Sequence, residues 1–195
     1  MNLANKITFL RIILVPVFMV FLLVRIIPYG EVWAALIFVF AALTDSLDGY
    51  IARKNKDVTR LGKLIDPLAD KLLITAAMIS LVALGTLSPW VAFLIIGREF
   101  AVTGLRLIAA AEGVLITANK WGKLKTIAQI VMIVAIIIEM ALKTSTYPAV
   151  TWLKVIIDYY PASIVAFSSL LIAVTLTILS GFYYFYQNKN LIKLR

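Results

Sequence analysis

Asp45 and Asp48 stand three residues apart, and Asp66 and Asp70 four apart. On a helix, either spacing sets two carboxylates on one face. The run from Val32 to Leu43 just upstream is wholly apolar, so the first pair ends a hydrophobic segment instead of sitting in an ordinary polar loop. A carboxylate near the centre of a membrane helix costs roughly 2.5–3.5 kcal/mol, and less toward its end. Four carboxylates drawn to one spot would repel one another strongly unless cations lay between them. All-oxygen ligands suit magnesium or manganese better than zinc or copper. Two such ions can clamp a diphosphate and stabilise the leaving oxygen of an in-line displacement. The chain has no histidine and no cysteine. That removes the commonest general base, any thiolate site and any disulfide, and leaves Asp or Glu for proton transfer. Asp45, Asp48 and Asp66 are the expected metal ligands. Asp70, one turn past Asp66, could complete a metal site or take a proton from an attacking hydroxyl.

Smaller signals surround these acids. Gly49 and Ala52 lack bulk beside Asp48, which lets either a ligand or a neighbouring helix approach closely. Arg53 offers a forked donor to phosphate oxygens, whereas Lys54 and Lys56 suit a basic membrane anchor. Near the N-terminus, Asn5, Thr8 and Arg11 recur every three residues and line one side of a helix. On spacing alone they read equally as a capped helix end with an interfacial arginine. Further along, Glu99, Thr103 and Arg106 lie within about 60° of one another at about 100° per residue, with Arg98 on a different side. Charged residues inside membrane helices usually face the bundle interior or a wet cavity. Arg106 could hold an anionic ligand there, or form an interhelical ion pair. Lys120, Lys123 and Lys125 sit at the start of the next apolar run and could serve the same anion or anchor the loop.

The stretch Asp45–Asp70 resembles the signature of the CDP-alcohol phosphotransferases, membrane enzymes of phospholipid synthesis. That signature is D-x2-D-G-x2-A-R-x8-G-x3-D-x3-D, and Asp45, Asp48, Gly49, Ala52, Arg53, Gly62, Asp66 and Asp70 fill every fixed position. The resemblance implies two magnesium or manganese ions on Asp45, Asp48, Asp66 and Asp70, with Asp70 as general base. It also implies a nucleotide lying against Gly49, Ala52, Arg53 and Gly62, near Asn5 and Thr8, in a homodimeric enzyme. Gly97–Arg106 and Asn119–Thr126 are similar to segments of the bacterial phosphatidylglycerophosphate synthases within this family. That likeness implies CDP-diacylglycerol and glycerol 3-phosphate as substrates, with Arg106, Lys120, Lys123 and Lys125 on the acceptor phosphate. Within the same class, inositol phosphate or serine are alternative acceptors.

The elements that must position these residues are helices in a membrane. Hydrophobic residues make up 63% of the 195, against about 45–50% in soluble domains. Mean hydropathy is +0.99. The length suits a single domain of six transmembrane helices of about 20 residues each, an all-α polytopic bundle. The apolar runs place them near 7–27, 32–54, 61–84, 90–111, 123–142 and 162–186, with Pro16 bending the first and Pro67 starting or kinking the third. Pro28-Tyr29-Gly30 and Gly85–Pro89 read as turns. Residues 143–160 form a longer connection whose middle, Val150–Ile157, could lie as a short interfacial helix. The aromatic run Phe182–Tyr186 suits the headgroup belt. No strand pattern, repeat or cleavable signal peptide is evident.

The net charge of +9 would suggest nucleic acid in a soluble protein; here it suits basic loops facing anionic headgroups, so no nucleic-acid partner is expected. With both termini in the cytoplasm, Lys6, Arg11, the Arg53–Lys63 cluster, Lys120, Lys123, Lys125, Lys189, Lys193 and Arg195 fall inside, and Arg25, Lys143 and Lys154 outside. This bias places the acids at the cytoplasmic face of a bacterial cell membrane, among membrane lipids. A divalent-cation transporter is the rival from another class. Against it, the second half carries no matching acidic pair, and no inverted repeat with broken helices is present. A non-catalytic scaffold would leave the four acids as structural ion pairs.

Overall fold

A computed structural model describes residues 3–55, 60–111, 120–144 and 162–187. The side chains at 3–6, 45–55, 60–68, 70, 110, 111, 120, 121, 144 and 162 lie outside the described set, as does Val150–Ile157. The described residues form six helices and no strand. They are α1 (Leu3–Leu23), α2 (Gly30–Asn55), α3 (Arg60–Ala83), α4 (Pro89–Ala111), α5 (Lys120–Thr144) and α6 (Ala162–Gln187). The expected boundaries hold to within a few residues. The largest difference is at α1, which begins at Leu3 and ends at Leu23, not Ile27. Pro16 lies inside α1. Pro67 does not start α3, because the helix already runs from Arg60.

The connections explain themselves locally. At the end of α3 the Thr86 N–H bonds the Leu81 carbonyl at 3.0 Å and the Gly85 N–H bonds Val82 at 3.0 Å. With Gly85 at φ 71° this is a Schellman stop, which a residue without Cβ adopts at least cost. Ser88 then caps α4, its carbonyl accepting from Val91 and Ala92 at 3.1 Å each, and Pro89 takes the first helical position, where no N–H is needed. Between α1 and α2, Tyr29 sits at φ 58°. Gly30 follows so tightly that a Cβ there would stand 2.5 Å from the Phe21 carbonyl oxygen.

These two glycines make a paired prediction. Gly30→Ala must push the backbone of α2 off α1 and is expected to cost about 1–3 kcal/mol. Gly85→Ala meets nothing within 4 Å, so only the positive φ opposes it, at about 1 kcal/mol. Thermal unfolding in detergent should rank the midpoints wild type, Gly85→Ala, Gly30→Ala in falling order.

Helix α1 packs on α2 and α3, α5 on α2 and α6, and α4 on α6 and α3. Small residues at the contacts (Ala34, Ala41, Ala76, Ala77, Ala173) let the helices approach closely. Phe18 and Phe38 fill the α1–α2 seam with ring centroids 5.6 Å apart. Among the described residues the outer surface is largely apolar: Trp90, Phe93, Leu107, Phe167 and Phe182 are all well exposed. Among the described residues, Gly122–Lys143 and Ser163–Gln187 are long and apolar enough to cross a membrane. Shorter apolar stretches occupy Ile7–Leu23, Gly30–Thr44 and Lys71–Ala83.

Candidate active site

Helix α2 carries Asp45, Asp48, Gly49, Ala52 and Arg53 on its C-terminal half, and α3 carries Gly62, Asp66 and Asp70 on its N-terminal half. Both backbones are helical through these positions, so each acidic pair keeps to one side of its helix. The α2 and α3 helices pack against each other. The side chains of these eight residues, and those of Asn5 and Lys120, lie outside the described set. An all-oxygen donor set with helical spacing fits a divalent ion, and among the described residues no other group of acids could hold one. On α1, Thr8 and Arg11 are both buried, at 3% and 1% exposure. The pair therefore faces the bundle interior, and Arg11 is not an interfacial anchor.

Next to Asp70 the described site begins. The Lys71 ammonium donates to the hydroxyl of Thr103 on α4. That hydroxyl in turn donates to the Glu99 carbonyl at 2.8 Å. One turn earlier on α4, the Glu99 carboxylate accepts from Lys125 of α5 and, at 3.3 Å, from Arg98. One turn later, Arg106 Nε donates to the Tyr184 hydroxyl of α6 at 2.9 Å, with the guanidinium 5.4 Å from the centre of that ring. Four helices are thus joined in one polar layer, and α4 contributes the face expected from Glu99, Thr103 and Arg106. A second polar tie lies one turn along α5, where Gln129 donates to Thr177 of α6 at 3.3 Å.

The cations of this layer act on one another. Lys71 and Arg98 both act on Lys125 through their charges, and Arg106 acts on Arg98. Glu99 is the single carboxylate the described contacts bring to these four cations. At about 6 Å and an effective dielectric near 20, two like charges repel by roughly 3 kcal/mol. Cations held this close to one another suit an anionic ligand. Lys125, at 3% exposure, lies within the layer. Lys123 is exposed and outside the layer. Arg98 was expected on another side of α4. Its long side chain instead folds back to Glu99 and crosses α6 at Gly181, where a Cβ would meet its Cγ at 3.1 Å.

Two members of the layer were not expected. Lys71 directly follows the acidic signature, but nothing in its own stretch announces a partner on α4. Tyr184 belongs to an aromatic run that reads as a headgroup belt. Helical rotation turns this one ring inward, to 6% exposure, while Phe182, Tyr183 and Tyr186 stay outside.

The CDP-alcohol phosphatidyltransferase profile matches residues 1–179. The chain belongs to that family. It is 39% identical over 207 residues to the CDP-diacylglycerol–glycerol-3-phosphate 3-phosphatidyltransferase of Bacillus subtilis, covering 98% of this chain and 97% of the relative. A relative of the same name from Rickettsia typhi is 35% identical over 184 residues, with 94% and 95% covered. Another from Cereibacter sphaeroides is 33% identical over 145 residues, covering 73% of this chain and 66% of its own length. The family match takes in the acidic signature and all of the polar layer except Tyr184, which lies beyond residue 179.

Proposed function

We propose that this protein transfers the phosphatidyl group of CDP-diacylglycerol to glycerol 3-phosphate, giving phosphatidylglycerophosphate and CMP. The observation that carries the acceptor assignment is the cationic layer of Lys71, Arg98, Arg106 and Lys125, which begins at the residue after Asp70. Serine offers one carboxylate offset by its own ammonium, whereas a phosphate monoester, whether glycerol 3-phosphate or inositol phosphate, brings about two negative charges. The names of the full-length relatives agree with this choice.

Asp45, Asp48 and Asp66 would hold two divalent ions, magnesium or manganese, with Asp70 completing the site. When bound, these ions neutralise the diphosphate and stabilise the oxygen that leaves. Arg53 and the small residues Gly49, Ala52 and Gly62 seat the cytidine diphosphate, with Asn5 and Thr8 nearby. Arg106 and Lys125 grip the acceptor phosphate, with Lys120 and Lys123 at the mouth of the site. Asp70 takes the proton of the glycerol hydroxyl as its oxygen forms a bond to the lipid-side phosphorus. The bond from that phosphorus to the bridging oxygen breaks, and CMP departs with the electron pair. The protein's share is positioning and charge neutralisation, as is usual for phosphoryl transfer. All six helices cross the cell membrane of a bacterium, with both termini and this site at the cytoplasmic face. The exposed apolar side chains and the bias of basic residues toward the segments that this topology places inside support that arrangement.

The purified protein, given CDP-diacylglycerol, magnesium and labelled glycerol 3-phosphate, should release CMP and form labelled lipid in equal amounts. Chelation should stop both, and added manganese or magnesium should restore them. CMP release that needs serine or inositol phosphate instead would reassign the acceptor. Metal flux into liposomes without CMP would replace the enzyme by a transporter.

A further inference from the structure

Glu99 carries a negative charge into a layer built to receive an anion, and no step of the transfer uses it. Its carboxylate cannot attract the acceptor phosphate, so its place there calls for another explanation. The same oxygen, Oε1, accepts from Lys125 and Arg98, which come from two different helices. Lys125 is almost wholly buried and also feels the positive charges of Arg98 and Lys71. Without Glu99, the ammonium would be repelled by its neighbours and would turn away. The backbone carbonyl of the same residue accepts from Thr103, the hydroxyl that receives Lys71. Glu99 therefore touches every arm of the layer except Arg106, which Tyr184 holds separately.

We infer that Glu99 is a positioning residue: it aims Lys125 and Arg98 at the acceptor. This rests on the reading of the layer as the acceptor site. An ammonium has three donors, so Lys125 keeps two for the substrate while one is spent on Glu99.

The test is the steady-state kinetics of Glu99→Gln, Lys125→Met and the double variant, each checked for folding by gel filtration and thermal unfolding. Glu99→Gln keeps the size and one acceptor oxygen but removes the charge. It should raise KM for glycerol 3-phosphate about tenfold or more, while KM for CDP-diacylglycerol stays within about twofold. Because Glu99 acts through Lys125 and Arg98, the losses of Glu99→Gln and Lys125→Met should be less than additive in the double variant. Glu99→Asp, which restores the charge on a shorter arm, should recover part of the loss, and it serves as the probe where Gln does not fold. Unchanged acceptor KM in Glu99→Gln, equal rises for both substrates, or strictly additive losses would each overturn the inference. A wild-type protein that makes no lipid from glycerol 3-phosphate would instead sink the acceptor assignment itself, before any variant is compared.

Discussion

Asp70→Asn should lose turnover by about a thousandfold or more while still binding CDP-diacylglycerol. General-base groups contribute about 10²–10⁴ in rate, and with no histidine in the chain no imidazole can substitute. Asparagine matches the carboxylate in shape and can still accept a hydrogen bond, so substrate seating should survive. Nucleotide binding followed by calorimetry, alongside single-turnover CMP release, separates the two effects. Asp45→Asn should differ in kind: as an expected metal ligand, its loss should weaken divalent-ion affinity and be partly relieved by raised magnesium. Normal turnover in Asp70→Asn would remove it as the base.

Lys125→Met should cut kcat/KM for glycerol 3-phosphate by about a hundredfold, equivalent to about 2.7 kcal/mol. The side chain is 3% exposed and bonded to Glu99, so the substitution removes a desolvated charge, not a surface one. Methionine keeps the length of the stem and so most of the packing. Arg106→Lys should fall by a similar factor although it keeps the charge. A lysine lacks the planar fork that reaches the Tyr184 hydroxyl and lies against its ring. In both variants the loss should fall on the acceptor, with saturation by CDP-diacylglycerol unchanged. Kinetics with each substrate varied in turn will show whether that split holds.

Most of the architecture was legible in the residues because each signal was local. Apolar runs fixed the six helices, and Gly85 and Ser88-Pro89 marked the α3–α4 turn by rules that need no knowledge of the rest of the fold. The interior face of α4 was equally local, since Glu99, Thr103 and Arg106 share one side by helical arithmetic. What escaped depended on other helices. Lys71 reads as the residue after a motif until α4 is laid beside α3. Tyr184 reads as one aromatic of a belt until the rotation of α6 is known. The end of α1 was overestimated because Val24, Ile26 and Ile27 are apolar yet belong to the turn that lets Gly30 approach Phe21. Hydropathy carries no information on such a close contact between backbones.

The proposed pairing of cations on the four aspartates is open to one direct measurement, electron paramagnetic resonance of manganese added to the purified protein. Two ions about 3.5–4 Å apart give a spin-coupled spectrum with a stoichiometry of two. That spectrum is expected for the wild type, and it should collapse to a single isolated ion in Asp45→Asn and in Asp66→Asn. One uncoupled ion in the wild type, or a coupled pair that survives both substitutions, would contradict a metal-bridged diphosphate site on α2 and α3.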